Sequence, residues 1–148
     1  MADYLTARHA IAGLLKVSIS SPVVSSIDTV YETRPDAEAL SAFPCVLITG
    51  YTSTHLRGSS GTRERIYTIG LRLAVTAVGE APMQEVLEAF KDALADAFDK
   101  HTTLGLGGAY HIIQGPNWTT REPFVDAGAM WDEGELVVSI KDVVSMGA

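Results

Sequence analysis

The stretch from Arg65 to Lys100 constrains the fold most, because two hydrophobic periods meet in it. Across Tyr67, Ile69, Leu71, Leu73, Val75 and Ala77 every second residue is apolar. Between them lie Thr68, Gly70, Arg72, Ala74 and Thr76, all small or polar. Alternation of this length predicts a strand with one face on a core and the other toward solvent or a partner. Gly79-Glu80-Ala81-Pro82 then stops the strand. From Met83 the period changes: Met83, Val86, Leu87, Phe90, Leu94, Ala97 and Phe98 recur at helical spacing. Glu85, Glu88, Lys91, Asp92, Asp96 and Asp99 fill much of the remaining helix surface. A helix leaving a strand through so short a break folds back over the strand's apolar face. Strand and helix together predict the nucleus of an α+β core.

The rest of the chain adds strands to that nucleus. Asp3 to about Val17 reads as a first helix, with Asp3 or Thr6 as N-cap, ended by Ser20-Ser21-Pro22. Val23 to Tyr31 is β-branched enough for an irregular strand, and Ala37 to Ala42 for a short helical turn. Phe43-Pro44 leads into Cys45 to Tyr51, apolar on both faces and therefore expected centrally in the sheet. Gly105-Leu106-Gly107-Gly108 follows a helix instead of opening one, which predicts a helix stop and not a phosphate loop. Tyr110 to Gln114, Trp118 to Glu122 and Glu135 to Val144 read as strands, and Pro123 to Gly134 as a loop. The expected fold is α+β: a four- to five-stranded mixed or antiparallel sheet with two main helices on one face. No linker divides it, so residues 1–148 form a single domain.

At 148 residues, 47% hydrophobic and 20% charged, the chain suits an ordinary globular domain. A net charge of −7 argues against clamping nucleic acid by neutralising phosphates, although DNA can pass an acidic surface without sticking. One cysteine, Cys45, excludes an intrachain disulfide framework and a multi-cysteine metal site. No apolar run approaches the roughly 18 to 20 residues that span a bilayer. Nor does Met1-Ala2-Asp3-Tyr4 resemble the start of a signal peptide. A soluble chain made inside the cell is the expectation.

Candidate chemistry is sparse. His9, His55, His101 and His111 are scattered, without the spacing of a metal site. Cys45 sits in an apolar strand, where a buried thiol is commoner than a nucleophile. Asp92/Asp96 and Glu85/Glu88 read as a solvated or subunit-facing surface. We therefore expect no catalytic, cofactor or metal residues and no enzyme activity. Contact residues are the better candidates. Thr52 to Glu64 is polar, carries Gly58-Ser59-Ser60-Gly61, and is flanked by Arg57, Arg63 and Arg65. It reads either as a hairpin tip or as a basic, flexible arm at about 52–65 that orders on a partner or on DNA. Trp118, Phe124, Met130 and Trp131 read either as interface anchors or as a plug on one end of the core.

The order of elements resembles a known family. An N-terminal helix precedes Val30-Tyr31-Glu32-Thr33-Arg34-Pro35, and Phe43-Pro44-Cys45-Val46-Leu47-Ile48 leads into a buried strand. A polar arm, the strand Tyr67 to Val78, the helix Met83 to Lys100, the Trp118 to Trp131 segment and a last strand complete the layout. This pattern is similar to the tail terminator, or tail completion, proteins of long-tailed bacteriophages. The resemblance implies a hexameric ring on the head-proximal end of the virion tail, assembled in the host cytoplasm. Such a ring halts polymerisation of the tail tube protein and docks the head-tail connector, while genome DNA passes without sequence-specific binding. In that setting Arg57, Arg63, Arg65, Trp118, Phe124 and Trp131 are the expected contact residues. Other readings are a neck or tube protein, or a small ligand-binding or enzymatic α+β domain.

Overall fold

The strand of alternating residues is the spine of the sheet in the computed structural model, which describes residues 3–33, 43–58, 61–76, 81–118, 124–126 and 128–143. In chain order the elements are α1 (Tyr4–Leu14), β1 (Ser18–Ile19), β2 (Ser25–Ser26), β3 (Thr29–Tyr31), β4 (Cys45–Arg57) and β5 (Thr62–Thr76). They continue with α2 (Met83–Lys100), β6 (Tyr110–Trp118), β7 (Phe124–Asp126) and β8 (Ala129–Val143). The main sheet runs β3-β4-β5-β8-β6, with β7 paired to the start of β8. Among the described residues only the β3–β4 pair is parallel. β1 and β2 form a separate two-stranded ribbon. The fold is a single α+β domain.

Both helices lie on one face of the main sheet. From β5, Tyr67, Ile69, Leu71, Leu73 and Val75 point into one cluster with Leu136, Val138 and Ile140 of β8. Val86, Leu87, Phe90, Leu94 and Phe98 of α2 and Ala7 and Ile11 of α1 close it from above. Phe90 and Phe98 are fully buried, so α2 is held chiefly by removing these large rings from water. Asp3 caps α1, its carboxylate accepting from the Thr6 backbone N–H at 2.7 Å.

β4 keeps one apolar face on the core by means of a bulge. Val46 pairs with Leu73 and Ile48 with Leu71, then the register shifts so that Tyr51 faces Ile69. One extra residue, Thr49, changes the parity, so even-numbered residues face the helices before it and odd-numbered ones after it. Gly70 accommodates the bulge: a Cβ there would overlap the Thr49 hydroxyl. Cys45 to Ile48 are all buried, flanked by β3 on one side and β5 on the other. The strand is thus second in the sheet, not central, and its two-faced burial is confined to this first segment.

Three expectations need correction. Of the two readings of about 52–65, the flexible arm gives way to the hairpin: the segment is strand over most of its length, pairing Thr52 with Thr68 through to Arg57 with Arg63. Its polarity reflects a hairpin that runs past the helices, where both faces meet water; Tyr51 to Arg57 are exposed. Pro123 to Gly134 is largely strand as well, since β8 begins at Ala129 and faces β5 without interruption to Val143. β6 continues through Gly115-Pro116 to Trp118 by two register shifts, where two separate strands, one ending at Gln114 and one starting at Trp118, were expected. The helical turn expected at 37–42 lies outside the described residues.

Replacing Phe90 by Ala should cost roughly 3–5 kcal/mol, and Gly70→Ala about 1–3 kcal/mol through overpacking at the bulge. Urea unfolding monitored by circular dichroism checks both. A loss under about 1 kcal/mol for Phe90→Ala would contradict the placement of α2 on β5.

Candidate interaction surfaces

The distal end of the β4–β5 hairpin carries the chain's basic cluster, and two of its three arginines are fastened to β8. Arg63 donates from Nε to Asp142 Oδ1 at 2.7 Å and from Nη2 to Oδ2 at 3.2 Å, a two-pronged pair. Arg65 reaches the same carboxylate from Nη2 at 3.3 Å. The register explains the geometry: Arg63 stands directly opposite Asp142, and Arg65 opposite the next residue but one, Ile140. Hydrogen bonding from Arg63 holds the Asp142 carboxyl below the usual carboxylate range. Arg57, opposite Arg63 on β4, is exposed at the hairpin end. Of the three predicted contact arginines, Arg57 is thus the exposed one, while Arg63 and Arg65 brace the hairpin against the last strand.

On the other face of the hairpin, Glu64 accepts from the Ser139 hydroxyl at 2.9 Å and pairs with Lys141 at 3.2 Å. The Ser139 bond lowers the Glu64 carboxyl first and Lys141 adds to it. The hairpin is therefore cross-braced to β8 on both faces by charged groups.

The aromatic residues expected as one cluster are divided between the two faces of the sheet. Trp118 pairs with Gly134 on the helix side, and its indole lies where a Gly134 side chain would stand. Lys91 of α2 sits 5.8 Å above that ring and pairs with Asp132, a buried carboxylate opposite Leu73. Trp118 packs partly buried against the core and so closes its end. Trp131 stands opposite Ala74 on the face away from the helices. It meets Phe43 edge-on at 5.9 Å and the Arg72 guanidinium at 5.7 Å. Arg72 in turn donates from Nε to Glu133 at 3.1 Å. Phe124 faces Trp131 in backbone register; its side chain lies outside the described residues. Arg72 was missed as the partner of Trp131, although it occupies a polar position of the alternating strand.

A second charged surface runs along α2. Glu85, Glu88, Asp92, Asp96 and Asp99 are all exposed. Their spacing of three and four places them in one stripe, so neighbouring carboxylates repel along the helix. Between Arg72, Asn117, Glu133 and Glu135 the outer sheet face carries an open cleft of about 430 Å³.

The remaining candidates stand apart. His9 lies 3.3 Å from Glu32, His55 and His111 are exposed on strands, and His101 follows the last turn of α2. Among the described residues no three metal-ligating side chains converge. Cys45 is fully buried, and burial pushes its thiol up to about 11. The Gly105 to Gly108 loop joins α2 to β6 at the surface. No protein-family model matches the chain, and no curated protein matches it.

The Asp142 carboxyl is depressed in the folded state, so its contribution is present above the unfolded carboxylate pKa and fades as pH falls through the folded one. Wild type should exceed Asp142→Asn in stability at neutral pH, and the gap should close between about pH 5 and pH 2. Denaturant titrations at each pH check this. Cys45 should resist thiol reagents at neutral pH in the native chain and react at once in denaturant, followed by absorbance of the released chromophore.

Proposed function

We propose that this chain is a structural subunit of a long-tailed phage virion that caps the tail tube as a ring. The observation that supports the reading most is the order of elements. An N-terminal helix, a Phe43-Pro44 lead into a buried strand, a long hairpin, an amphipathic helix and a long last strand follow one another in one α+β domain. That is the layout on which the resemblance to tail terminator proteins rests.

Capping a polymer needs complementary surfaces. A ring closes through heterologous contacts, in which one patch of a subunit meets a different patch of its neighbour. This subunit offers two unlike charged patches: the exposed carboxylates of α2 and the arginine-bearing end of the hairpin. In the proposed ring, one face stacks on the last tube ring and ends its growth, and the other receives the head-tail connector. A net charge of −7 suits a channel through which DNA slides without binding. Arg57 and the Arg72–Trp131 patch are the groups best placed for docking, because they lie on the hairpin end and on the sheet face that carries no helix.

Sedimentation at rising protein concentration tests the reading. A finite six-subunit species, and arrest of tube-protein polymerisation on its addition, are the expected results. Open-ended filaments of this chain alone would move the assignment to a tube subunit. Arg57→Glu should leave the circular dichroism spectrum unchanged and reduce tube capping about tenfold, since a reversed rim charge typically costs on the order of 1 kcal/mol or more.

A further inference from the structure

The two edges of the main sheet are built differently. At one edge, β6 carries register shifts between Ile112 and Gln114 and between Gln114 and Asn117. Pro116 there has no N–H to offer, and the Ile112 N–H is already given to the Thr102 carbonyl at 2.8 Å. Bulges, a proline and a covering loop are the devices by which sheets protect an edge from strand addition. The other edge has none of them beyond its first residues. β3 covers only Cys45 to Leu47 of β4. From Gly50 to Arg57, β4 pairs regularly with β5, without a further bulge or a proline. On an antiparallel strand half of the backbone N–H and C=O groups turn away from the partner. Among the described residues no backbone group takes those of Gly50 to Arg57. The open edge is about 25 Å long at the usual rise per residue.

We propose that this edge of β4 is a strand-addition site for the same edge of a second copy of the chain, forming an antiparallel two-fold pair. Among the described residues β4 is the one strand longer than three residues that leaves a regular edge open, so two copies satisfy each other where β6 cannot. Charge selects the register. With Thr54 opposite the second copy's Thr54, Ser53 faces His55, Thr52 faces Leu56 and Tyr51 faces Arg57. Odd-numbered residues then meet odd-numbered ones, so the helix-side face runs on from copy to copy. The two Arg57 side chains stand at opposite ends of the pair. Each approaches the second copy's Tyr51, a residue 51% exposed whose side chain lies on the same face. A slip of one position to a His55–His55 centre would bring two imidazoles together and carry Arg57 past Tyr51. The pairing closes at two and does not rest on the ring reading.

Cysteine substitution on the axis tests it. In the stated register the two Thr54 Cα atoms lie about 4.5–5.5 Å apart, within disulfide reach. Thr54→Cys should give a covalent dimer on mild oxidation. Thr52→Cys, whose mate is Leu56, should not, because the two substituted positions would be about 13 Å apart along the strand. Both sites are exposed and Cys45 is buried, so neither variant disturbs the core or leaves a competing thiol. Equal cross-linking at 52 and 54, or none at 54, overturns the proposal. Hydrogen exchange on the unmodified chain gives a second readout: amides of Gly50 to Arg57 should slow as concentration rises. A six-subunit species whose β4 amides stay fast overturns the pairing and leaves the ring reading standing. Slowed β4 amides in a dimer that never arrests tube growth would uphold the pairing and sink the ring.

Discussion

The pairing of β5 with β8 is the constraint on which the rest of this structure depends. It runs without a register shift from Thr62–Val143 to Thr76–Ala129. Because that ladder is unbroken, a single alternation of side chains extends from the covered end of the sheet to the hairpin. Odd residues of β5 and even residues of β8 form the floor of the core. The same parity, continued outward, sets Arg63 against Asp142 on the helix side and Glu64 against Lys141 on the other. A slip of one residue would turn Ile69, Leu71 and Leu73 to solvent and separate both ion pairs at once. Core and hairpin are therefore specified by one register.

Two irregularities adjust neighbouring strands to that ladder. The Thr49 bulge lets β4 present Val46 and Ile48 to the core and then Tyr51 to the same face. Tyr51 there joins Tyr4 of α1, ring centroids 4.0 Å apart, and Tyr67 of β5 at 5.3 Å. Burial pushes the Tyr4 hydroxyl up to about 12, so Tyr4 stays uncharged across the physiological range. At the opposite end, Gly134 leaves room for the Trp118 ring, and Lys91 spans from α2 to that ring and to Asp132. A lone carboxylate on the core face would be costly; paired with Lys91 it ties α2 to β8 and is tolerated.

How much of this could be read in the residues follows from where each side chain finds its partner. Tyr67 to Val75 and Met83 to Phe98 carry their periods in full, because each packs one face on a continuous core. The first half of β8 did not read as strand, because Asp132 interrupts the alternation on the core face and its neutralising partner, Lys91, lies far off in the chain. Thr52 to Arg57 read as loop for the opposite reason: neither face is covered, so no alternation is required. The three arginines were legible as a cluster, but not their division into Arg57 at the tip and two braces, since Asp142 is more than 75 positions away. Trp118 and Trp131 looked like one aromatic group because sequence proximity does not reveal facing; the pairing partners Gly134 and Ala74 do.

The distribution of charge follows from the same layering. A sheet with helices on one side leaves two kinds of polar surface: the outer flank of α2 and the part of the sheet that the helices do not reach. Carboxylates gather on the first, where every three or four residues another meets water and its like-charged neighbour. Arginines gather on the second, where β8 supplies Asp142 to hold two of them in place. The mutual repulsion along α2 is a local cost that helix packing through Phe90 and Phe98 must offset. A cation brought against that stripe would relieve it, and salt would weaken the relief, because exposed charges are screened over about 8 Å at physiological ionic strength. Contacts made by the helix flank should therefore be ionic and salt-sensitive, whereas contacts made through the β4 edge are backbone hydrogen bonds that salt leaves largely untouched.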